Sequence, residues 1–191
     1  AGMGVDMSQR VAMFEDSLTI MRQLWAGETV NHDRFWGLKN ARIAPLPAQD
    51  IEVWIGATAP AAINRTARLA EGWLGTPSST PQQAKEQLNQ YRQACAEHQR
   101  KPSAVALRRD IFIGASVRQS EEFRSHAVAK GYRGFPEDAL ICGDISQVAT
   151  QFAELFEAGF TDIIVRNMAS DQGQALATIE ALSDVKRQLR L

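Results

Sequence analysis

Val11, Phe14, Leu18, Met21 and Trp25 recur at spacings of three and four, the period of an amphipathic helix. The pattern predicts a helix over "SQRVAMFEDSLTIMRQLWAGE", capped at Ser8 and ended at Gly27. Residues 28–50 come next, with Asp33 in a turn, then aromatic and alternating positions, then Pro45 and Pro47; they read as a hairpin-like excursion. Residues 52–56 form a short apolar run, a strand, and "APAAINRTARLA" is a helix with Pro60 in its first turn. "GWLGT" is a second short strand. Pro81 to His98 form a helix striped by Leu88, Tyr91 and Cys95, and "SAVALRRDIFIGAS" is a longer strand. Residues 119–130 read as helix and "GYRGFPEDALICGD" as loop. Asp144 caps a helix over "DISQVATQFAELFEAGF" that Gly159 closes. "TDIIVRN" is a strand, and "QGQALATIEALSDVKRQL" is the last helix.

Past the first helix, strands alternate with helices, which implies an α/β fold with parallel pairing and right-handed crossovers. "VWIGA", "WLG" and "DIIV" are apolar at every position rather than at alternate ones, as strands buried on both faces are. Four strand–helix units make half of an eightfold barrel, whose usual length is ~250 residues, or a small doubly wound sheet. The pattern alone leaves these two open.

The totals exclude several function classes. The chain has 191 residues, 45% hydrophobic and 23% charged, with a net charge of −1, enough for one domain with a real core. That balance gives no electrostatic reason for a nucleic-acid or membrane partner. Cys95 and Cys142 lie far apart without companion histidines, which argues against a zinc site and a disulfide framework and fits a reducing cytoplasm; no metal is expected. No apolar run reaches the ~20 residues of a membrane span. "AGMGVDMSQR" lacks the apolar core of a signal peptide and begins without Met, an abrupt start.

The junction "VWIGATAPAAIN" carries no acid, base or thiol. A small-residue strand end opening a helix lets backbone N–H groups approach an anion, with the positive end of the helix dipole behind them. Gly56 and Ala57 remove bulk, the Thr58 hydroxyl can donate, and the Ala61 N–H lies in the first helical turn. Small residues there also serve tight strand–helix packing, so both readings stand. Arg166 and Asn167 end the last strand, where Arg166 can meet a phosphate, a substrate or a surface acid. Arg108, Arg109 and Asp110 are placed at the start of a strand, on the opposite rim, in a stabilising role. His32, His98 and His126 have no partner at ligand or acid–base spacing, and no catalytic residue is assigned.

Four blocks, in order, resemble bacterial-luciferase-like flavin-dependent oxidoreductases and monooxygenases. They are "GVDMSQRVAMFEDSLTIMRQLWAGETV", "RFWGLKNARIAPLP", "VWIGATAPAAINRTARLAEGWLG" and "ALICGDISQVATQFAELFEAGFTDIIVRNM". The resemblance covers nearly the whole chain and departs from the family's frequent Asp-Gly turn where Asp33 meets Arg34. It implies a TIM barrel of which residues 1–191, one domain, hold strands five to eight, with strands one to four outside the chain. It implies a flavin at the C-terminal mouth, FMN first and a deazaflavin second, acting on a small-molecule substrate. The phosphate would rest on Gly56, Ala57, Thr58 and Ala61, the ring against Trp73, Leu74 and Gly75, with Arg166 at the same mouth. A half-barrel implies a homo-oligomer or association with an N-terminal half. A non-catalytic flavin- or phosphate-binding half-barrel and an inactive truncated chain are the alternatives.

Overall fold

A computed structural model of the protein describes residues 6–190, which fall into two compact units, 6–51 and 52–190. Gly4 and Val5, at the head of the first family-like block, lie outside the described residues.

In the first unit a single turn of 3-10 helix, Met7–Gln9, leads into α1 (Arg10–Trp25). The cap is Asp6 rather than Ser8: the Asp6 carboxylate accepts from the Ser8 N–H at 2.9 Å and from its hydroxyl at 2.7 Å. Gly27 ends the helix as expected, with φ at +79°, a conformation that suits glycine. Leu18 is buried on the anticipated stripe, whereas Phe14 and Met21 are exposed. Within 28–50, β1 (Val30–His32) and β2 (Leu38–Ala41) pair as an antiparallel hairpin. His32 Nε2 lies 3.2 Å from an Asp16 carboxylate oxygen.

The second unit is a parallel sheet with helices between its strands. Its strands are β3 (Trp54–Gly56), β4 (Gly72–Gly75), β5 (Ala104–Ile113), β6 (Leu140–Gly143) and β7 (Asp162–Asn167). Its helices are α2 (Pro60–Leu69), α3 (Pro81–Glu97), α4 (Val117–Ala129), α5 (Ile145–Ala158) and α6 (Gln172–Leu189). Local chemistry sets their ends. Thr80 with Gln83, and Asp144 with Gln147, form capping boxes that satisfy first-turn N–H groups of α3 and α5. Gly159, with φ at +107°, closes α5 where the sequence placed it.

β5 is the spine. β4 pairs with Ala104–Leu107 and β7 with Ala106–Ile111, so these two neighbours share a stretch of β5 and must lie on opposite edges. β6 pairs with Asp110–Ile113, in line beyond β4. Thus β3, β4, β5 and β7 are consecutive parallel neighbours.

Strand alternation then divides the side chains. One face carries Trp73, Leu107, Ile111 and Val105 into the main core, with Ile63 of α2, Leu88 and Tyr91 of α3, Val148 and Phe152 of α5 and Val185 of α6. On the other face, toward the C-terminal ends, Phe112, Leu140 and Cys142 pack with Phe123 of α4 and with Tyr132 and Phe135. The Phe112 and Phe123 rings stack at 3.8 Å.

Three expectations are corrected. Residues 131–144 are not all loop: two 3-10 turns lead into β6, because "LICG" is a short run buried at every position and paired along β5. β3 and β7 are not buried on both faces. Each pairs on one side only within the described sheet, with Trp54 37% and Ile164 38% exposed, whereas β4 and β5, paired on both sides, are enclosed. Arg108, Arg109 and Asp110 do not start a strand at the opposite rim. They sit in the middle of the ten-residue β5, with Asp110 level with Leu140 and Arg166.

Candidate functional site

Gly56 is the last residue of β3 and lies in register with Leu74. The space over it separates the two readings of its small size. A Cβ added at Gly56 would meet only the Leu74 carbonyl oxygen, at 3.8 Å, an ordinary contact. At Gly72 the same atom would lie 2.8 Å from the Trp54 ring, and at Gly75 2.8 Å from Leu107 Cδ1. Gly72 and Gly75 are therefore small because neighbouring side chains occupy the space. Gly56 has no such packing reason, and its open face is a place where another molecule can approach the backbone.

The turn after Gly56 is anchored on one side and open on the other. Ala57 is buried, and its carbonyl accepts the Trp73 indole N–H at 2.9 Å, which fixes the turn out of β3. Thr58 is exposed, and its hydroxyl has no partner among the described residues. α2 opens at Pro60 behind Ala59, whose side chain supplies no cap. Proline has no N–H, so Ala61 carries the first free donor of the helix. A neighbouring cleft of about 440 Å³ is lined by Thr58, Thr76, Ser78, Ser79, Gln83 and Glu86, among others. It is lined by one carboxylate and no cation, so N–H, hydroxyl and helix dipole are the only groups here that could favour an anion.

The remaining predicted residues divide. Trp73 is fully buried on the helix side; its ring lies 5.4 Å from Tyr91 and 6.2 Å from Phe160. It packs the core and anchors the Ala57 carbonyl. Leu74 projects from the opposite face, where it is half-buried and offers an apolar surface. Arg166 lies toward the C-terminal end of its strand, as Thr58 does, because all the strands are parallel. It is nonetheless three strands away, roughly 14 Å at ~4.8 Å per strand, and four residues further along the sheet than the level of Gly56.

Around Arg166 the structure assembles a group that the strand pattern did not reveal. Asp110 is fully buried; one carboxylate oxygen accepts from Arg108 Nη2 and the other from the Tyr132 hydroxyl, both at 2.9 Å. Burial pushes the Tyr132 phenol above its usual range, and the bond to Asp110 and that carboxylate's charge add to the rise. Arg166 and Arg133 pull it the other way. The signal lay in "RRD" falling four residues into a ten-residue strand: with period two, Arg108 and Asp110 share a face and Arg109 takes the other.

Residues 1–154 match the model of a family described as luciferase-like monooxygenase. The chain is similar to an F420-dependent glucose-6-phosphate dehydrogenase of Microbacterium testaceum, 35% identical over 81 residues, which is 42% of this chain and 24% of that protein. Among solved structures it resembles an F420-dependent secondary alcohol dehydrogenase in complex with an F420-acetone adduct, with a TM-score of 0.75 at 14% identity, over 100% of this chain and 65% of the other. It also resembles the oxygenating constituent of 3,6-diketocamphane monooxygenase of Pseudomonas putida in complex with FMN, with a TM-score of 0.64 at 17% identity, over 90% and 61%. The expected α/β fold of the luciferase-like barrels is thereby met, and the chain spans under two thirds of the length of these relatives.

Proposed function

The chain belongs to the luciferase-like monooxygenase family, and we propose that it is the C-terminal portion of a flavin-dependent oxidoreductase or monooxygenase acting on a small molecule. In this reading residues 1–191 form one domain, and β3, β4, β5 and β7 are barrel strands five to eight. The observation that carries the reading is the open backbone at Gly56, beside a helix start with no side-chain cap and a hydroxyl with no partner.

Those residues fit a phosphate-bearing flavin. Thr58 would donate its hydroxyl and Ala61 its N–H to phosphate oxygens, while Gly56 leaves room for the approach. The Trp73–Ala57 hydrogen bond holds that turn in place before the ligand arrives, so its ordering cost is met by folding. Leu74 gives the ring an apolar surface that excludes water. The bound cofactor supplies the redox chemistry, hydride transfer or oxygen activation. FMN and a deazaflavin share the phosphate-bearing chain, so the cradle suits both. The F420-dependent relative favours the deazaflavin over FMN, and the absorbance of the bound cofactor separates them. Two buried free cysteines suit a reducing cytoplasm. Among the described residues no helix is long and apolar enough to cross a membrane.

Thr58→Ala should weaken flavin binding by about 1 kcal/mol, the usual net worth of one hydrogen bond. Gly56→Val should weaken it more by blocking the approach; the first of its added carbons, the Cβ, has room in the free protein. Fluorescence quenching on titration checks both, and unchanged affinity in the two variants would remove the site.

The outer strands bear on association. β3 and β7 each pair on one side within the described sheet, and Trp54 and Ile164 are partly exposed on them. Unpaired edges template further pairing. In solution we expect the chain to pair with a second copy or with the remainder of a barrel. Light scattering coupled to size exclusion reads this directly, and a sharp monomer peak with cooperative unfolding would refute it.

A further inference from the structure

We propose that Arg166 and Arg108 form an anion subsite for the substrate, distinct from the flavin phosphate cradle, so that the substrate carries a carboxylate or phosphate. The inference rests on the reading of the Gly56–Ala61 turn as the flavin phosphate site.

The β5–β7 register places Arg166 directly opposite Asp110, with both side chains on the same face. A cross-strand Arg–Asp pair is the ordinary outcome of that register. Here both Asp110 oxygens already accept, one from Arg108 and one from Tyr132. Arg166 is left exposed and makes no hydrogen bond or ion pair among the described residues.

The charges do not cancel. Arg108 and Arg166 share a face with one buried carboxylate, and the positive charges of Arg166 and Arg133 are both felt at the Tyr132 hydroxyl that donates to it. Of the acids in the neighbouring loop, Glu137 acts on Cys142 and Asp138 on Arg109. A group with excess positive charge and one anchored guanidinium, Arg108, suits a planar or tetrahedral oxyanion. Distance assigns that oxyanion to the substrate. The Thr58 turn lies three strands off, so one phosphate cannot touch both Thr58 and Arg166.

Two titrations of the full 191-residue chain test this, on wild type, Arg166→Gln and Thr58→Ala. The first follows the arginine side-chain N–H resonances while inorganic phosphate or acetate is added in the presence of saturating flavin. The second follows flavin affinity by fluorescence quenching. Saturable shifts at Arg166 and Arg108 in wild type are expected, with at least fivefold weaker anion binding in Arg166→Gln and flavin affinity changed less than twofold. Thr58→Ala should give the reverse. No saturable anion binding, or binding unchanged in Arg166→Gln, overturns the subsite. Equal loss of flavin and anion in Arg166→Gln also overturns it, by assigning Arg166 to the cofactor. If Thr58→Ala leaves flavin affinity intact while Arg166→Gln loses the anion, the flavin cradle fails and the subsite stands.

Discussion

Trp73→Ala should destabilise the second unit by about 3–5 kcal/mol, the range for truncating a buried aromatic side chain. That is a large part of the 5–15 kcal/mol that holds an ordinary domain together. The indole is fully buried and stacks between Tyr91 and Phe160, bridging α3 and the end of α5. It also gives its N–H to the buried Ala57. Alanine would leave a ring-sized cavity and a carbonyl without its donor. Trp73→Phe separates the two effects. It keeps most of the ring contact and loses the hydrogen bond, so it should cost about 1 kcal/mol. The same variant should loosen the turn at Ala57 and weaken flavin binding. Urea midpoints with an unchanged slope provide the stability reading. If Trp73→Ala unfolds at the wild-type midpoint, the indole is not a core side chain and its place beside the cofactor is reopened.

The sequence revealed most of what depends on local periodicity. The helices from α2 onward fall where apolar spacing and caps put them: Pro60 opens α2, Asp144 caps α5 and Gly159 closes it. It was less informative where partners distant in the chain decide. "ALICGD" is too short to show a period, and only its pairing with Asp110–Ile113 makes it a strand. β3 and β7 are as apolar as β4, yet edge position leaves them partly exposed; composition carries no record of which strand lies outermost. The same limit applies to the site. The open backbone at "GATAP" was legible, because small residues give it. Whether Gly56 or Gly75 is small for packing depends on what lies over each, the Leu74 carbonyl at one and Leu107 at the other, both brought in from other strands. The Asp110–Tyr132 contact joins residues 22 apart, and nothing local announces it.

Arg109 gives the second large effect, and its size depends on the substitution. Its side chain leaves β5 on the helix side and is 2% exposed. Nη1 donates to the Ser79 carbonyl at 2.9 Å and, more weakly, toward that of Pro77 at 3.4 Å; Nη2 is buried without a partner. Burial pushes the guanidinium down from its ordinary value to about 10, so the charge is held at a cost. Removing it relieves that cost but deprives the buried Ser79 carbonyl of its donor. Arg109→Met keeps the apolar stem and drops the charge; the opposing terms should nearly offset, leaving a loss of about 1 kcal/mol. Arg109→Ala removes the stem as well and opens a cavity within the buried β5 layer, for a loss of about 3 kcal/mol. Both variants should free the β4–α3 turn, whose Thr76, Ser78 and Ser79 line the cleft beside Thr58. Amide hydrogen exchange at Ser79 should accelerate in each, even where Arg109→Met unfolds near the wild-type midpoint. Unchanged exchange there would show that the turn holds itself through the Thr76–Ser78 and Thr76–Ser79 contacts, and that Arg109 contributes packing alone.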